Sequence, residues 1–430
     1  MGEQVPKYDT NAGRERLTRE HFIAIGLCAV GYFVDGLSSA ILAPFAPAVS
    51  RSLHLSKAEL GSLFSANLLG QCLGLIVIPL FERRIGPRKT IVWSTILFGL
   101  GDVLSGFAAN RNELLVCRLI IGVGVGGTLP AAISLVAELA PLRRRGSALM
   151  ALILAFALGP VFSGLIGSLF NGNAGDPGWR RVLTAVGAAS LLAAGAQGRW
   201  LPDSPSFLLR RRGEAVAPQQ SAGEDSPWYL FSPAFLWGTL ILWSIFINAL
   251  IISYCLMTWI PSLLVDSGRD TRLGAMALTA FSLGGVVSTL VLGPLIDRIG
   301  AFRALGVSFA AAALFLAASA MNIDSAPDAL LLALLAAAGF FLLGAYGGAS
   351  VLVAEFYPAP LRAVGAGWAK SAGRIGTVLA PVLVGWALTR GVREQDVLLA
   401  FAAPAVLAVF GIVGMYFQTR RSAIKIATGI

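Results

Sequence analysis

Asp35, Asp102, Arg118, Lys370 and Arg374 are ionisable residues set inside long apolar runs. At the centre of a bilayer such a group costs roughly 3 kcal/mol or more, so each is by default a functional candidate. Asp35 is the best proton carrier on offer. A carboxyl group removed from water holds its proton more tightly and a nearby cation loosens it, so the arrival or loss of an anion can change its protonation. Lys370 and Arg374 are four residues apart, hence on one helical face, and two cations held together there require an anion or a water-filled cavity. A carboxylate substrate meets that need. Arg118 opens an Arg-x-x-x-Gly pattern with Gly122 and Gly126 on the same face, at the spacing that lets helices approach closely. Its guanidinium stays charged while a neighbouring acid titrates. Bland alternatives stand beside these readings: helix packing for Asp35, Asp102 and Arg118, and a snorkelling position near a helix end for Lys370. Tyr346, Asn248, Tyr254, Asn67 and Gln71 are expected to line the same cavity, where an aromatic ring can stack on the tyrosines while its carboxylate faces the cations.

The elements that must position these residues follow from composition. The chain has 430 residues, of which 56% are hydrophobic and 13% charged, with a mean hydropathy of +0.75. About twelve apolar runs have the ~20-residue length of a membrane-crossing helix. They run on without the alternation of barrel strands, so the reading is an all-α membrane protein of about twelve transmembrane helices. Two six-helix halves are expected at 22–200 and 233–417, between tails at 1–21 and 418–430, with a Pro-, Ser- and Gly-rich linker at 201–232. The polar stretch from Met1 to Glu20 does not read as a signal peptide.

A net charge of +10 would suggest nucleic acid in a soluble protein. Here Lys and Arg concentrate in the termini and the even-numbered loops, so the charge reads as topology, with both ends and the linker cytoplasmic. No basic stretch is interleaved with aromatics as nucleic-acid binding needs. The four cysteines lack paired spacing and the two histidines lack partners, so no metal site is expected. The absence of G-x-x-x-x-G-K-[ST] excludes an ATP-binding loop of that kind, and no nucleophile and base assemble into an enzyme site.

One charged turn is written twice. Pro79, Leu80, Glu82 and Arg83 recur as Pro294, Leu295, Asp297 and Arg298, 215 residues later, and Ala137-Glu138-Leu139-Ala140-Pro141 is echoed by Ala354-Glu355-Phe356-Tyr357-Pro358. Halves related by a parallel repeat are the mark of a transporter that rocks about a central site.

GPLIDRIG, from Gly293 to Gly300, resembles the G-x-x-x-D-R-x-G loop of the major facilitator superfamily, as does its first-half copy. Arg118 with Gly122, Gly124 and Gly126, and the WLPDSPSFLL stretch, resemble their counterparts there. Within the superfamily the chain is most similar to the aromatic acid:proton symporters, on Phe33-Val34-Asp35-Gly36-Leu37, on Tyr254 to Leu263, and on Phe356-Tyr357-Pro358 with Arg362, Gly365, Trp368, Gly373 and Arg374. The resemblance implies proton-coupled uptake of a small aromatic carboxylate by a monomer in a bacterial inner membrane, with the proton gradient in place of any cofactor. It also implies a cytoplasmic gate, in which Glu82, Arg83, Asp297 and Arg298 pair across the halves with Glu138, Glu355 and Arg362. Three departures stand out. Ser38 occupies the place of a second span-one aspartate, Glu82 lies one residue further from its glycine than Asp297 does, and Gly159-Pro160 with Ser163-Gly164 partly resembles a motif of proton-driven drug exporters. A drug or metabolite exporter of the same fold is therefore the alternative.

Overall fold

In hydrocarbon a backbone satisfies its polar groups only within its own segment, so each apolar run closes into a helix. The computed structural model describes residues 19–141, 144–170, 178–212, 227–233 and 235–428. The middle of the expected linker, most of the N-terminal tail, and Arg143 lie outside the described residues. The first half comprises α1 (Arg19–Ala40), α2 (Leu42–Ser52), α3 (Lys57–Ile85), α4 (Pro87–Phe107), α5 (Arg111–Leu139), α6 (Arg145–Phe170) and α7 (Gly178–Trp200). The short α8 (Pro205–Arg211) and a 3-10 turn (Pro227–Phe231) follow. The second half comprises α9 (Leu236–Asp266), α10 (Thr271–Ile299), α11 (Ala301–Met321), α12 (Asp328–Phe356), α13 (Ala359–Thr389), α14 (Glu394–Ala400) and α15 (Ala402–Thr428).

Among the described residues, eleven helical stretches are long and apolar enough to cross a membrane. Two of them are composite: α1 runs on through α2, and α14 through α15. The break after Ala40 follows from Pro44, which has no N–H to offer the Ala40 carbonyl. The twelfth long helix, α7, is Ala- and Gly-rich and carries Arg180, Arg181 and Arg199, so it is less apolar than its neighbours. Twelve crossings return the end of α15 to the face on which α1 begins.

Helix ends carry local signals. Ser56 and Glu59 form a capping box at the start of α3, and Asn110 and Asp270 cap α5 and α10. The duplicated turns end alike: Gly86 and Gly300, with φ of 84° and 85°, stop α3 and α10 in a backbone region that side chains disfavour. The repeat extends to packing. Helix α3 lies on α5 as α10 lies on α12, α4 on α7 as α11 on α15, and α1 on α6 as α9 on α13. Exposed Trp93, Leu192 and Phe410 belong to an apolar outer surface that fits a bilayer.

The two halves meet through two equivalent seams, α3 against α13 and α6 against α10. Both are closest on the face opposite the chain ends. A Cβ added to Gly61 would stand 2.4 Å from the Pro381 carbonyl oxygen, and one on Gly385 would stand 2.4 Å from that of Lys57, so only hydrogen fits at either site. Ser65 donates to the Val378 carbonyl at 2.6 Å, and Lys57 pairs with Asp266 across the halves at 2.5 Å.

Candidate functional site

A cavity of about 440 Å³ lies between the halves. Asn67 and Gln71 of α3, Arg118 of α5, Tyr254 of α9 and Tyr346 of α12 all line it, as the sequence suggests. Around them the wall is apolar, including Phe64, Met150, Phe156 and Met257. Phe64 meets the buried Trp259 edge to face at 5.6 Å. Towards the chain-end face the lining reaches Gly293, Ile296 and Val351.

Arg374 sits within α13, where Gly373 lets the helix settle against Leu250 and the Phe246 backbone of α9. Its Nη1 donates to Gln71 Oε1 at 3.0 Å and lies 3.5 Å from the Tyr254 hydroxyl, and its guanidinium is 5.6 Å from the centre of the Tyr254 ring. These partners come from both halves, and all are neutral. No carboxylate lies within ion-pair distance of Arg374 among the described residues. Arg374 is not itself among the residues that line the cavity, but Gln71 and Tyr254, which hold it, are, so a cation held by neutral groups stands one side chain behind the apolar wall. A planar carboxylate can take two parallel N–H bonds from such a guanidinium while its ring occupies the apolar part.

Asp35 on α1 is 2% exposed, and its Oδ1 has no hydrogen-bond partner. The field of Arg374 acts on it, although the two make no ion pair. Asp102 and Arg118 are 0% and 1% exposed and stand 3.5 Å apart. Ser38 donates to the other oxygen of Asp102. Ser38 thus stands one turn beyond Asp35 on α1 and reaches the carboxylate of α4.

Three expected site residues lie outside the lining: Arg374, which reaches it only through Gln71 and Tyr254, and Asn248 and Lys370. The Asn248 amide donates to the Ser244 carbonyl and hydroxyl of its own helix, at 2.8 and 3.3 Å. Lys370, one turn from Arg374, is exposed and does not line the cavity. The gate residues are not paired across the halves. Asp297, Arg298, Glu355 and Arg362 are exposed, and Arg362 donates to the nearby Tyr357 carbonyl. Glu138 accepts from Ser204 and Ser206 at the start of α8, with Glu82 and Arg83 lining the same small pocket. The inter-half ion pair that does form, Lys57 with Asp266, was not foreseen. The two residues are 209 positions apart in different turns, and only the assembled seam brings them together. Gly159, part of the exporter-like motif, has a packing use: a Cβ there would stand 2.3 Å from the Gly36 backbone of α1.

The family model for the Major Facilitator Superfamily matches residues 28–277 and 268–429. The chain is 30% identical to the 4-hydroxybenzoate transporter PcaK of Pseudomonas putida over 423 residues, covering 93% of each. It is 32% identical to the 3-(3-hydroxy-phenyl)propionate transporter of Escherichia coli (strain K12), covering 94% of this chain and 95% of that one. Among solved structures, a D-xylose-proton symporter superposes with a TM-score of 0.72 at 18% identity, covering 92% of this chain and 97% of the other.

Proposed function

The chain belongs to the major facilitator superfamily, and from that footing we propose that it takes up a small aromatic carboxylate together with protons, by alternating access. The observation that carries this reading is Arg374: a guanidinium reached from both halves, held by Gln71 and Tyr254, with no carboxylate in ion-pair contact. A buried cation so placed is costly until an anion joins it. The apolar remainder of the cavity suits a ring, and Tyr254 and Tyr346 offer faces for stacking. The names of the similar proteins, transporters of 4-hydroxybenzoate and of 3-(3-hydroxy-phenyl)propionate, agree with a ring carboxylate as cargo. An exporter of cationic drugs suits this cavity less, because a cation already stands behind its wall.

In this reading Asp35 carries a coupling proton, and Arg118, Tyr346, Tyr254 and Arg374 contact the substrate. Asn248 and Lys370 act when the halves are arranged differently. Glu82, Arg83, Asp297 and Arg298, with Glu138, Glu355 and Arg362, form the latch of the state closed at the chain-end face. Unpaired as they are here, they match a conformation open on that side. The arginine-rich chain-end face is cytoplasmic by the positive-inside rule, so that conformation faces inward in a bacterial inner membrane. The test is uptake of radiolabelled 4-hydroxybenzoate into liposomes with and without an imposed pH gradient. Accumulation above the equilibrium level only with an acidic exterior supports the proposal, and equal filling in both cases refutes proton coupling.

A further inference from the structure

Asp102 and Arg118 form a buried pair built in an unusual way. The carboxylate is 0% exposed and the guanidinium 1%, yet they stand 3.5 Å apart. Neither Asp102 Oδ1 nor Arg118 Nε and Nη2 has a hydrogen-bond partner. A pair meant only to brace two helices would close this gap, since a charged group left without a hydrogen bond in a low-dielectric interior is costly. One side of the pair is firmly held: Ser38 of α1 donates to Asp102 Oδ2. The other opens on the central cavity, which Arg118 lines.

The surroundings contain little else that titrates. From α5 come Arg118 and the Cys117 thiol, and from α1 come Ser38 and, one turn earlier, Asp35. Helix α3 carries no charge between Glu59 and Glu82, only the Cys72 thiol. Helix α7 meets this part of α4 through Gly187, whose Cβ would stand 2.5 Å from Val103 N. Its Arg180 lies at the end of α4, donating to the Gly106 and Ala108 carbonyls.

We propose that Asp102 is a second proton-exchange residue, distinct from Asp35, and that it is coupled to the central cavity through Arg118. A proton taken from water forms an O–H bond on Asp102 and cancels its charge. Arg118 keeps its own charge and is left unbalanced at the wall of an apolar cavity, a state that an anion there relieves. Proton and anion therefore favour each other's binding by the same factor, as linkage requires. When the anion leaves, the lone Arg118 charge weakens the hold of Asp102 on its proton, which then returns to water more readily. This inference rests on the anion reading of the cavity, but its first test does not.

Infrared difference spectra of the purified full-length protein, between about pH 5 and about pH 8, report protonated carboxyl groups without any substrate. Asp102→Asn, which keeps the size of the side chain, is expected to remove one component of the carboxyl C=O band. Asp35→Asn is expected to remove a different one. An unchanged spectrum in folded Asp102→Asn overturns the proposal. Binding of 4-hydroxybenzoate, measured by calorimetry, supplies the second test. Affinity is expected to rise by roughly tenfold on acidification in the unmodified protein. That rise is expected to shrink in Asp102→Asn and to return in the exchange variant Ser38→Asp with Asp102→Ser. A full pH dependence in Asp102→Asn overturns the proposal, as does an exchange variant that folds but stays pH-insensitive. If the unmodified protein binds no ring carboxylate, the anion reading falls, and the infrared band alone decides Asp102.

Discussion

The hydrogen bond from Arg374 to Gln71 joins one half of the molecule to the other at 3.0 Å, beside the ring of Tyr254. A side chain so placed can report the presence of an anion to both halves at once. Asp35, fully enclosed with one oxygen unpaired, is the group whose charge can respond. Replacing Asp35 with Asn removes the titratable carboxyl and keeps its shape, so gradient-driven accumulation of 4-hydroxybenzoate is expected to fall well below that of the unmodified protein. Exchange of internal for external substrate is expected to continue. Reconstituted vesicles separate the two activities, and undiminished accumulation would move the role away from Asp35. Such residues were legible in the sequence because an ionisable group within an apolar run is conspicuous by its cost. Tyr254, Tyr346 and Gln71 were legible as aromatic and polar groups set within apolar spans. Ser38 was not, because a serine is cheap to bury on any helix, and its partner on α4 is known only once α1 and α4 are packed.

The elements set how closely these residues approach. At the seam of α3 and α13, Gly61 faces the Pro381 carbonyl and Gly385 faces that of Lys57. Gly61→Val puts atoms where the partner backbone stands, at a cost of about 1–3 kcal/mol of overpacking in this conformation. It is expected to part the two helices on the face opposite the chain ends. Crosslinking of a cysteine pair placed at Ala58 and Leu388 measures the effect: the yield is expected to drop in the variant, and an unchanged yield would show that the seam absorbs the side chain elsewhere. The number of long helices was readable from hydropathy, and the repeat from the duplicated turns. The split of the first crossing into α1 and α2 was also foreshadowed, by Pro44, although the sequence reading ran one span through it.

At the scale of the molecule, the halves are clasped by Lys57 with Asp266 on one face and unlatched on the other. Asp297 and Glu355 are exposed and form no ion pair among the described residues. A lost pairing acts only on the state in which it forms. Neutralising Lys57 or Asp266 is therefore expected to populate the state open opposite the chain ends. Asp297→Asn is expected to do the reverse, by weakening the latch of that same state. Spin-label distances across each face report the populations: they are expected to shift in opposite directions for the two variants, and a common shift would contradict this assignment of the two closures. The sequence suggested a latch at the chain-end face because its turn is duplicated, and that latch is a proposal here. It was silent on the Lys57–Asp266 clasp, which is written once in each half and has no repeat to betray it.

The central claim is that Arg374 receives the carboxylate of the substrate, and calorimetric binding of 4-hydroxybenzoate and of its uncharged amide to the protein and to its Arg374→Ala variant tests it most directly. A charge-assisted hydrogen bond contributes about 1.5–3 kcal/mol, so the acid is expected to lose roughly tenfold to a hundredfold in affinity while the amide loses far less. Arg374→Lys is expected to fall between, since it restores the charge but not the two-point geometry. Equal losses for acid and amide would mean that Arg374 only holds α13 in place, and would contradict the account.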